Sequence, residues 1–177
     1  LLNPGERVLP VVRSMPRPYE ETYTLIDYRN RYATYKADDD LQAAHASAPF
    51  VVSFDDHEVD NNWAGDVSEE PGLPAEMFRL RRAAAFQAWY EHMPVRRTQF
   101  PQGAAIQAYR RLDIGNLATL NVLDTRQFRT DQPCGDGWKV CADARDPSKA
   151  MLGPQQERWL YDNFRSAPNR WNVLAQQ

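Results

Sequence analysis

The sequence lacks any long apolar run. None of its 177 residues sits in the roughly 18 uninterrupted apolar residues that a membrane-spanning helix needs. Lysine is scarce: Lys36, Lys139 and Lys149 are the lysines among 21 basic residues, and the rest are arginine. The formal net charge is −3, so the basic face that non-specific nucleic-acid binding requires is not expected. Cysteine is limited to Cys134 and Cys141, without the C-x-x-C spacing and neighbouring Cys or His of a zinc site. The Gly-containing turn between them lets the pair close a disulfide loop, which implies an oxidising compartment; two free thiols are the other reading. No G-x-G-x-x-G, Walker loop, G-x-S-x-G or H-E-x-x-H occurs, so dinucleotide, P-loop and serine-hydrolase chemistry have no support. Repeats and low-complexity tracts are absent too. The first residue is Leu1, with no basic-then-apolar signal segment, and a strand beginning near Arg170 comes shortly before Gln177. The expectation is an internal piece of a longer protein, residues 1–177 forming part of one domain, so the missing signal says nothing about export.

Apolar residues make up 42%, with 5 Trp, 8 Tyr and 7 Phe, which is enough for a buried core. The arginine excess fits codon usage in a GC-rich genome, or phosphate recognition by a planar fork of donors. Residues 1–18 carry four prolines and predict an extended connection. Thr24 and Asp27 predict a helix start, with Leu25, Tyr28, Tyr32 and Tyr35 on one face and an end near Lys36. The three acids at 38–40 cap a short helix from Leu41 to about Ala48, stopped by Pro49. Phe50 to Phe54 (FVVSF) predicts a buried strand. The longest helix runs from Ala75 to Met93 after Pro74, with Phe86, Trp89 and Met93 inward and Arg79, Arg81 and Arg82 solvated. Residues 105–112 and 117–123 predict a hairpin. Gly153 and Pro154 open a helix carrying Trp159, Leu160 and Phe164. Strands interleaved with helices make an α/β layered fold.

The informative segment is Asp55-Asp56-His57-Glu58, with Asp60, Asn61 and Asn62 close behind. Four carboxylates, an imidazole and two amides follow an apolar run, and strand ends in layered α/β folds open onto crevices. Crowded anions raise one another's pKa unless positive charge joins them. A bound hard cation supplies it, since the donors are oxygen-rich with one histidine. A solvated acidic turn is the other reading, and Glu58 and Asp60 fit it well.

Several segments together resemble the PhoD-type alkaline phosphatases. They are Asp27–Tyr32 (DYRNRY), Leu41–His45 (LQAAH), Phe54–Val59 (FDDHEV) with Asn61 and Asn62, Trp89–Pro94 (WYEHMP), Asn121–Phe128 (NVLDTRQF), Gly153–Trp159 (GPQQERW) and Arg170–Gln177 (RWNVLAQQ). The resemblance implies a secreted, periplasmic or extracellular enzyme that hydrolyses phosphomonoesters and phosphodiesters at alkaline pH. It implies an Fe(3+) and Ca(2+) centre on a metallophosphoesterase-like fold, a central β-sandwich flanked by helices, here incomplete at both ends. A diester-specific enzyme acting on phospholipid or teichoic acid, and a non-enzymatic extracellular calcium-binding module, are the rival readings.

Related enzymes place G-N-H-[DE] after a strand, and Phe54–Glu58 resembles that motif with Asp56 in the Asn position. By this resemblance Asp56 is a metal ligand, Asp55 a weaker metal-ligand candidate, and His57 the catalytic group that contacts phosphate or protonates the leaving oxygen. Asn61 or Asn62 supplies an amide ligand or fixes Asp56. The family's upstream Cys and Asp-x-x-Tyr, and its downstream ligands, have no counterpart in these 177 residues, and Cys134 and Cys141 lie in the wrong place. The chain is therefore expected to hold a minority of the ligands and to be inactive by itself. Arg126 is the candidate phosphate clamp, its alternative role being a salt bridge to Asp124 or a bond to a nearby carbonyl. Arg29 and Arg31 are assigned to surface pairs with acids, and His45 and His92 to packing or backbone hydrogen bonds. Trp89, Trp159 and Trp171 fall at core spacings. Oligomeric state is not encoded legibly.

Overall fold

A computed structural model describes residues 21–135 and 140–177. The prolines of residues 1–18, predicted to form an extended connection, lie outside the described residues. Helix α1 spans Leu25–Lys36. Thr24 caps it by accepting the Asp27 N–H, and the Asp27 carboxylate accepts the Thr24 N–H in return. This reciprocal pair satisfies two donors that a helix start leaves orphaned. Helix α2, Asp39–Ser47, is capped by the Asp38 side chain on the Leu41 N–H. Helix α3, Ala75–His92, follows Pro74 and stops before Pro94. Strands β1, Arg110–Ile114, and β2, Ala118–Val122, form the expected hairpin, tighter than predicted. Helix α4, Gly153–Ser166, then crosses to strand β3, Trp171–Ala175.

The described residues hold one sheet, ordered β1-β2-β3, antiparallel on one side of β2 and parallel on the other. The β2–α4–β3 crossover is what permits the parallel pair. The core is aromatic. Phe54, Trp63, Phe78, Phe86 and Trp89 are all essentially inaccessible, with Phe54 contacting Trp63, Phe86 and Trp89. Tyr28 joins from α1, its hydroxyl donating to the Val59 carbonyl at 2.5 Å. Cys134 and Cys141 are bonded to each other, as one of the two readings had it.

Several expectations fail for physical reasons. Residues 50–54 are not a strand. Their polar groups bond to a side chain or through one: Arg110 Nη2 donates to the Val52 carbonyl at 2.7 Å, and Ser53 Oγ donates to the Leu123 carbonyl at 2.7 Å. Only Phe54 of the run is buried; Phe50 and Val51 are exposed. Residues 105–109 also stay outside β1, because the Gln127 carboxamide takes both backbone groups of Ile106. Arg81 and Arg82 are buried rather than solvated. Both sit on the stripe of α3 that holds Phe78, Ala85 and Trp89, so their guanidinium groups must find partners inside. Arg79 stays outside, pairing with Asp66 at 2.8 Å. Trp171 is exposed where a core spacing was read, and Tyr35 and Phe164 are exposed as well. Arg29 pairs with Glu91 at 2.6 Å. His92 bonds the Ala88 carbonyl and stacks on Tyr32; His45 packs on Phe50 and lies 3.1 Å from Lys36 Nζ.

Candidate functional site

Residues 55–63 form a tight turn at the carboxyl ends of β2 and β3. Asp124 to Arg126 leave β2 directly, and Gln177 follows β3. Crevices outside the carboxyl ends of parallel strands are the usual place for ligands in such sheets. The turn is organised by Asp56. Its carbonyl accepts the Val59 and Asp60 N–H groups at 2.8 and 2.9 Å and the Trp63 indole N–H at 3.1 Å. Its carboxylate Oδ2 accepts the Asn62 N–H at 2.8 Å. Asn62 reaches that position in the left-handed region, φ +50, which asparagine tolerates better than most residues.

The four carboxylates separate into different roles. Asp55 Oδ1 receives Arg126 Nη2 at 2.6 Å and Nε at 2.8 Å. Asp56 is 7% exposed, and Arg126 Nη2 stands 3.8 Å from its Oδ1. Glu58 accepts the Asp55 N–H at 2.8 Å; burial pushes its carboxyl up against that bond. Asp60, buried, pairs with Arg81 at 3.0 Å and takes the Ser68 hydroxyl at 2.5 Å. Arg81 also holds Glu70 at 2.9 Å and Glu21 at 2.8 Å. Asp60 and Glu58 are thus neither solvated nor gathered for a ligand; one closes an ion-pair network and the other a turn. The Asp56 carboxyl is pushed up by burial, but the Asn62 N–H and the Arg126 charge outweigh this and hold it below the ordinary range.

Arg126 is itself buried and is aimed by a third layer. Asp124 Oδ1 accepts the N–H groups of Arg126 and Gln127 at 3.1 and 3.0 Å. Gln156, from α4, donates to the Asp124 carbonyl at 2.7 Å and accepts the Asp124 N–H at 2.9 Å. Burial pushes the Asp124 carboxyl up despite these bonds. The Arg126 guanidinium does not pair with Asp124; of the alternatives to a phosphate clamp, the bond to a nearby backbone carbonyl is the one present, beside an unforeseen pair with Asp55. It reaches Asp55, and Nη1 donates to the Trp63 carbonyl at 3.3 Å. Gln177 lies against Asp55 and Thr125, its amide nitrogen best placed toward Asp55. Arg129 is close enough to feel Arg126, Asp55 and Asp56, with burial the first cause of its lowered pKa and Arg126 the second. His57 is the accessible member: its side chain is 79% exposed, with Nε2 3.9 Å from Asp56 Oδ2.

The metal expected at this turn can be tested against the donors. Asp56 fits a ligand role, because Oδ1 is a sheltered carboxylate oxygen whose nearest cation is that 3.8 Å approach. Asp55 fits less well, with Oδ1 already holding two Arg126 nitrogens. Among the described residues no group of three or more His, Cys, Asp or Glu could hold an ion. These residues fit as a minority of a centre. No helix among the described residues is long and apolar enough to cross a membrane.

A model of the PhoD-like phosphatases matches residues 7–177. The chain belongs to the PhoD-like phosphatase family. Alkaline phosphatase D of Bacillus subtilis (strain 168) is 54% identical over 158 residues, 89% of this chain and 27% of that protein. A solved structure described as that of PhoD matches with a TM-score of 0.85 at 52% identity, over 89% of this chain and 30% of that one. The chain thus spans under a third of each. The sequence singled out residues 55–62 as a cluster of acids, a histidine and amides, and the structure folds them into one turn. Sequence reasoning missed Gln156, and it weighed Asp124 only as a partner for Arg126. The polar Gln156 on the core side of an amphipathic helix was the available signal, since a buried amide needs partners.

Proposed function

We propose that this chain forms part of the active site of a metal-dependent alkaline phosphatase that hydrolyses phosphomonoesters and phosphodiesters and releases inorganic phosphate. The single observation that supports this best is the sheltered Asp56 carboxylate beside an exposed His57, at the carboxyl ends of a parallel strand pair. It occurs in a chain 54% identical to an alkaline phosphatase. In this reading the sheet belongs to a metallophosphoesterase-like sandwich, and the protein acts outside the cytoplasm, where the Cys134–Cys141 bond persists.

Asp56 would hold one of the ions, with Fe(3+) and Ca(2+) the expected pair and Asp55 at its edge. When bound, such ions neutralise phosphate and lower the pKa of an attached water. The chain's own residues do the rest. The Asn62 N–H and Arg126 keep Asp56 ionised and aimed. Arg126 is committed to Asp55, so in this reading it orients carboxylates, and phosphate contact falls to Arg129 and His57. His57 is free to meet a phosphate oxygen or to protonate the leaving oxygen, which requires the approach from solvent that its exposure provides.

The test is Asp56→Ala in the intact protein. Activity on aryl mono- and diester phosphates is expected to fall at least about 100-fold, with a parallel loss of bound metal. Near-normal turnover together with normal metal content would refute the assignment. Retained turnover after exhaustive chelation would remove the metal requirement.

A further inference from the structure

A second groove, of about 350 Å³, lies on the other side of residues 50–51, between them, residues 94–99 and β1. Its polar lining is cationic. Arg96, Arg110 and Arg111 contribute to it, with Thr98 and Gln99. Arg111 is neutralised by Asp113 at 3.0 Å. The other two are not. Arg110, half-buried, spends its donors on the Ala108 and Val52 carbonyls at 3.0 and 2.7 Å, and among the described residues no carboxylate comes within ion-pair distance of it or of Arg96. Burial, and then the like charge of Arg96, pull the Arg110 pKa down. Arg96 is exposed to water and Arg110 has both Nη groups on carbonyls, so neither is strained, but their two positive charges share one concave site that an anion would neutralise.

Val51 also lines a groove of about 270 Å³ that borders Asp55 and Glu58. Three residues separate Val51 from Asp55, so their Cα atoms are at most about 14 Å apart. Val51 lines both grooves, so the two are adjacent.

We propose that the Arg96–Arg110 groove is a second oxyanion subsite, which takes an additional phosphate group of a substrate whose scissile phosphate lies at the Asp55–His57 turn. This rests on the phosphoesterase reading above. Arg96 supplies the mobile fork, since its side chain is exposed, and Arg110 the fixed positive charge. Planar guanidinium donors suit tetrahedral oxyanions and can bind two oxygens at once. The enzyme would then favour substrates with several phosphates over compact monoesters.

The experiment compares the intact wild-type protein with Arg96→Gln and Arg96→Glu. Steady-state kinetics are measured with an aryl monophosphate and with an aryl ester carrying a second, remote phosphate. The kcat/KM ratio of the bisphosphate to the monophosphate is expected to fall about tenfold in Arg96→Gln and further in Arg96→Glu, mostly through KM. A ratio within about twofold of wild type overturns the proposal. Calorimetric titration with inorganic phosphate gives a readout independent of turnover, and the wild type should lose one class of sites in Arg96→Glu. If neither ester is hydrolysed by the wild type but that class is still lost, the hydrolase reading fails while the anion groove stands. If Arg96→Glu lowers Tm and leaves the ratio and the phosphate titration unaltered, a carboxylate of the protein fills the groove, and the proposal is wrong.

Discussion

Replacing Arg126 with Gln tests how the acidic turn is held. Arg126 is nearly inaccessible; it holds Asp55 Oδ1 through two nitrogens and approaches Asp56. Breaking a fully buried pair by removing one partner costs about 3–5 kcal/mol, because the remaining charge is left unpaired. Here Asp55 is 45% exposed, and water can take over part of its charge. Asp56, 9% exposed at the side chain, cannot be rehydrated as easily, though its Asn62 N–H remains. The expected loss is therefore below the fully buried figure, about 2–3 kcal/mol in urea unfolding of the intact protein. Arg126→Lys should recover less than half, since an ammonium cannot supply two coplanar donors to Asp55. The double variant Arg126→Gln, Asp55→Asn should be more stable than Arg126→Gln alone, by about 1 kcal/mol, because the unpaired charge is gone. If Arg126→Gln stays within about 0.5 kcal/mol of wild type, Arg126 does not support the turn and its bonds to Asp55 are incidental.

Gln156→Leu should cost about 2–3 kcal/mol in the same unfolding assay, since it strands the buried N–H and carbonyl of Asp124; a loss below about 1 kcal/mol would contradict that role. Arg81→Met should cost at least about 3 kcal/mol by leaving Asp60 buried without a cation, and adding Asp60→Asn should return part of it; no recovery would mean the loss is one of packing. The Asp66 carboxyl is raised by burial but lowered overall by Arg79 and Arg82, so its folded pKa lies below its unfolded one. Its contribution is then complete above the ordinary carboxylate pKa and is lost as pH falls through that value toward the depressed one. Asp66→Asn should accordingly show a shallower loss of stability than wild type between about pH 5 and pH 3, and parallel curves would contradict the sign.

The helices were legible because their boundaries are chemically local. Thr24 with Asp27, Asp38, Pro74, Pro94, and Gly153 with Pro154 each act within one turn of the backbone. Strand identity is not local in that sense. Phe50 to Phe54 has the composition of a strand, yet a strand exists only where another backbone lies beside it. Arg110 and Ser53 supply the bonds instead, and neither pairing is written in the run itself. Arg81 and Arg82 show a different failure. A charged residue was read as solvated, although its spacing from Phe78, Ala85 and Trp89 placed it on the inner stripe of α3. Periodicity was the better guide there, and a buried arginine among acids was its consequence.

The charge argument for the turn was sound in its premise and too narrow in its conclusion. Four carboxylates within six residues do require compensation, but a folded chain can bring its own cations from far away in sequence. Arg126, 71 residues from Asp55, and Arg81, 21 residues from Asp60, do so here. Crowded acids in a sequence therefore mark a need for positive charge and do not identify its source. What distinguishes the two sources is what remains after the arginines are placed. Asp60 is paired at both oxygens, by Arg81 and Ser68, and Asp55 holds two arginine nitrogens. Asp56, 7% exposed, keeps an oxygen that Arg126 approaches no closer than 3.8 Å, while its other oxygen accepts a backbone N–H. A carboxylate oxygen that no arginine contacts can still accept from a cation, and this remaining acceptor, rather than the count of acids, is what makes Asp56 the proposed ligand.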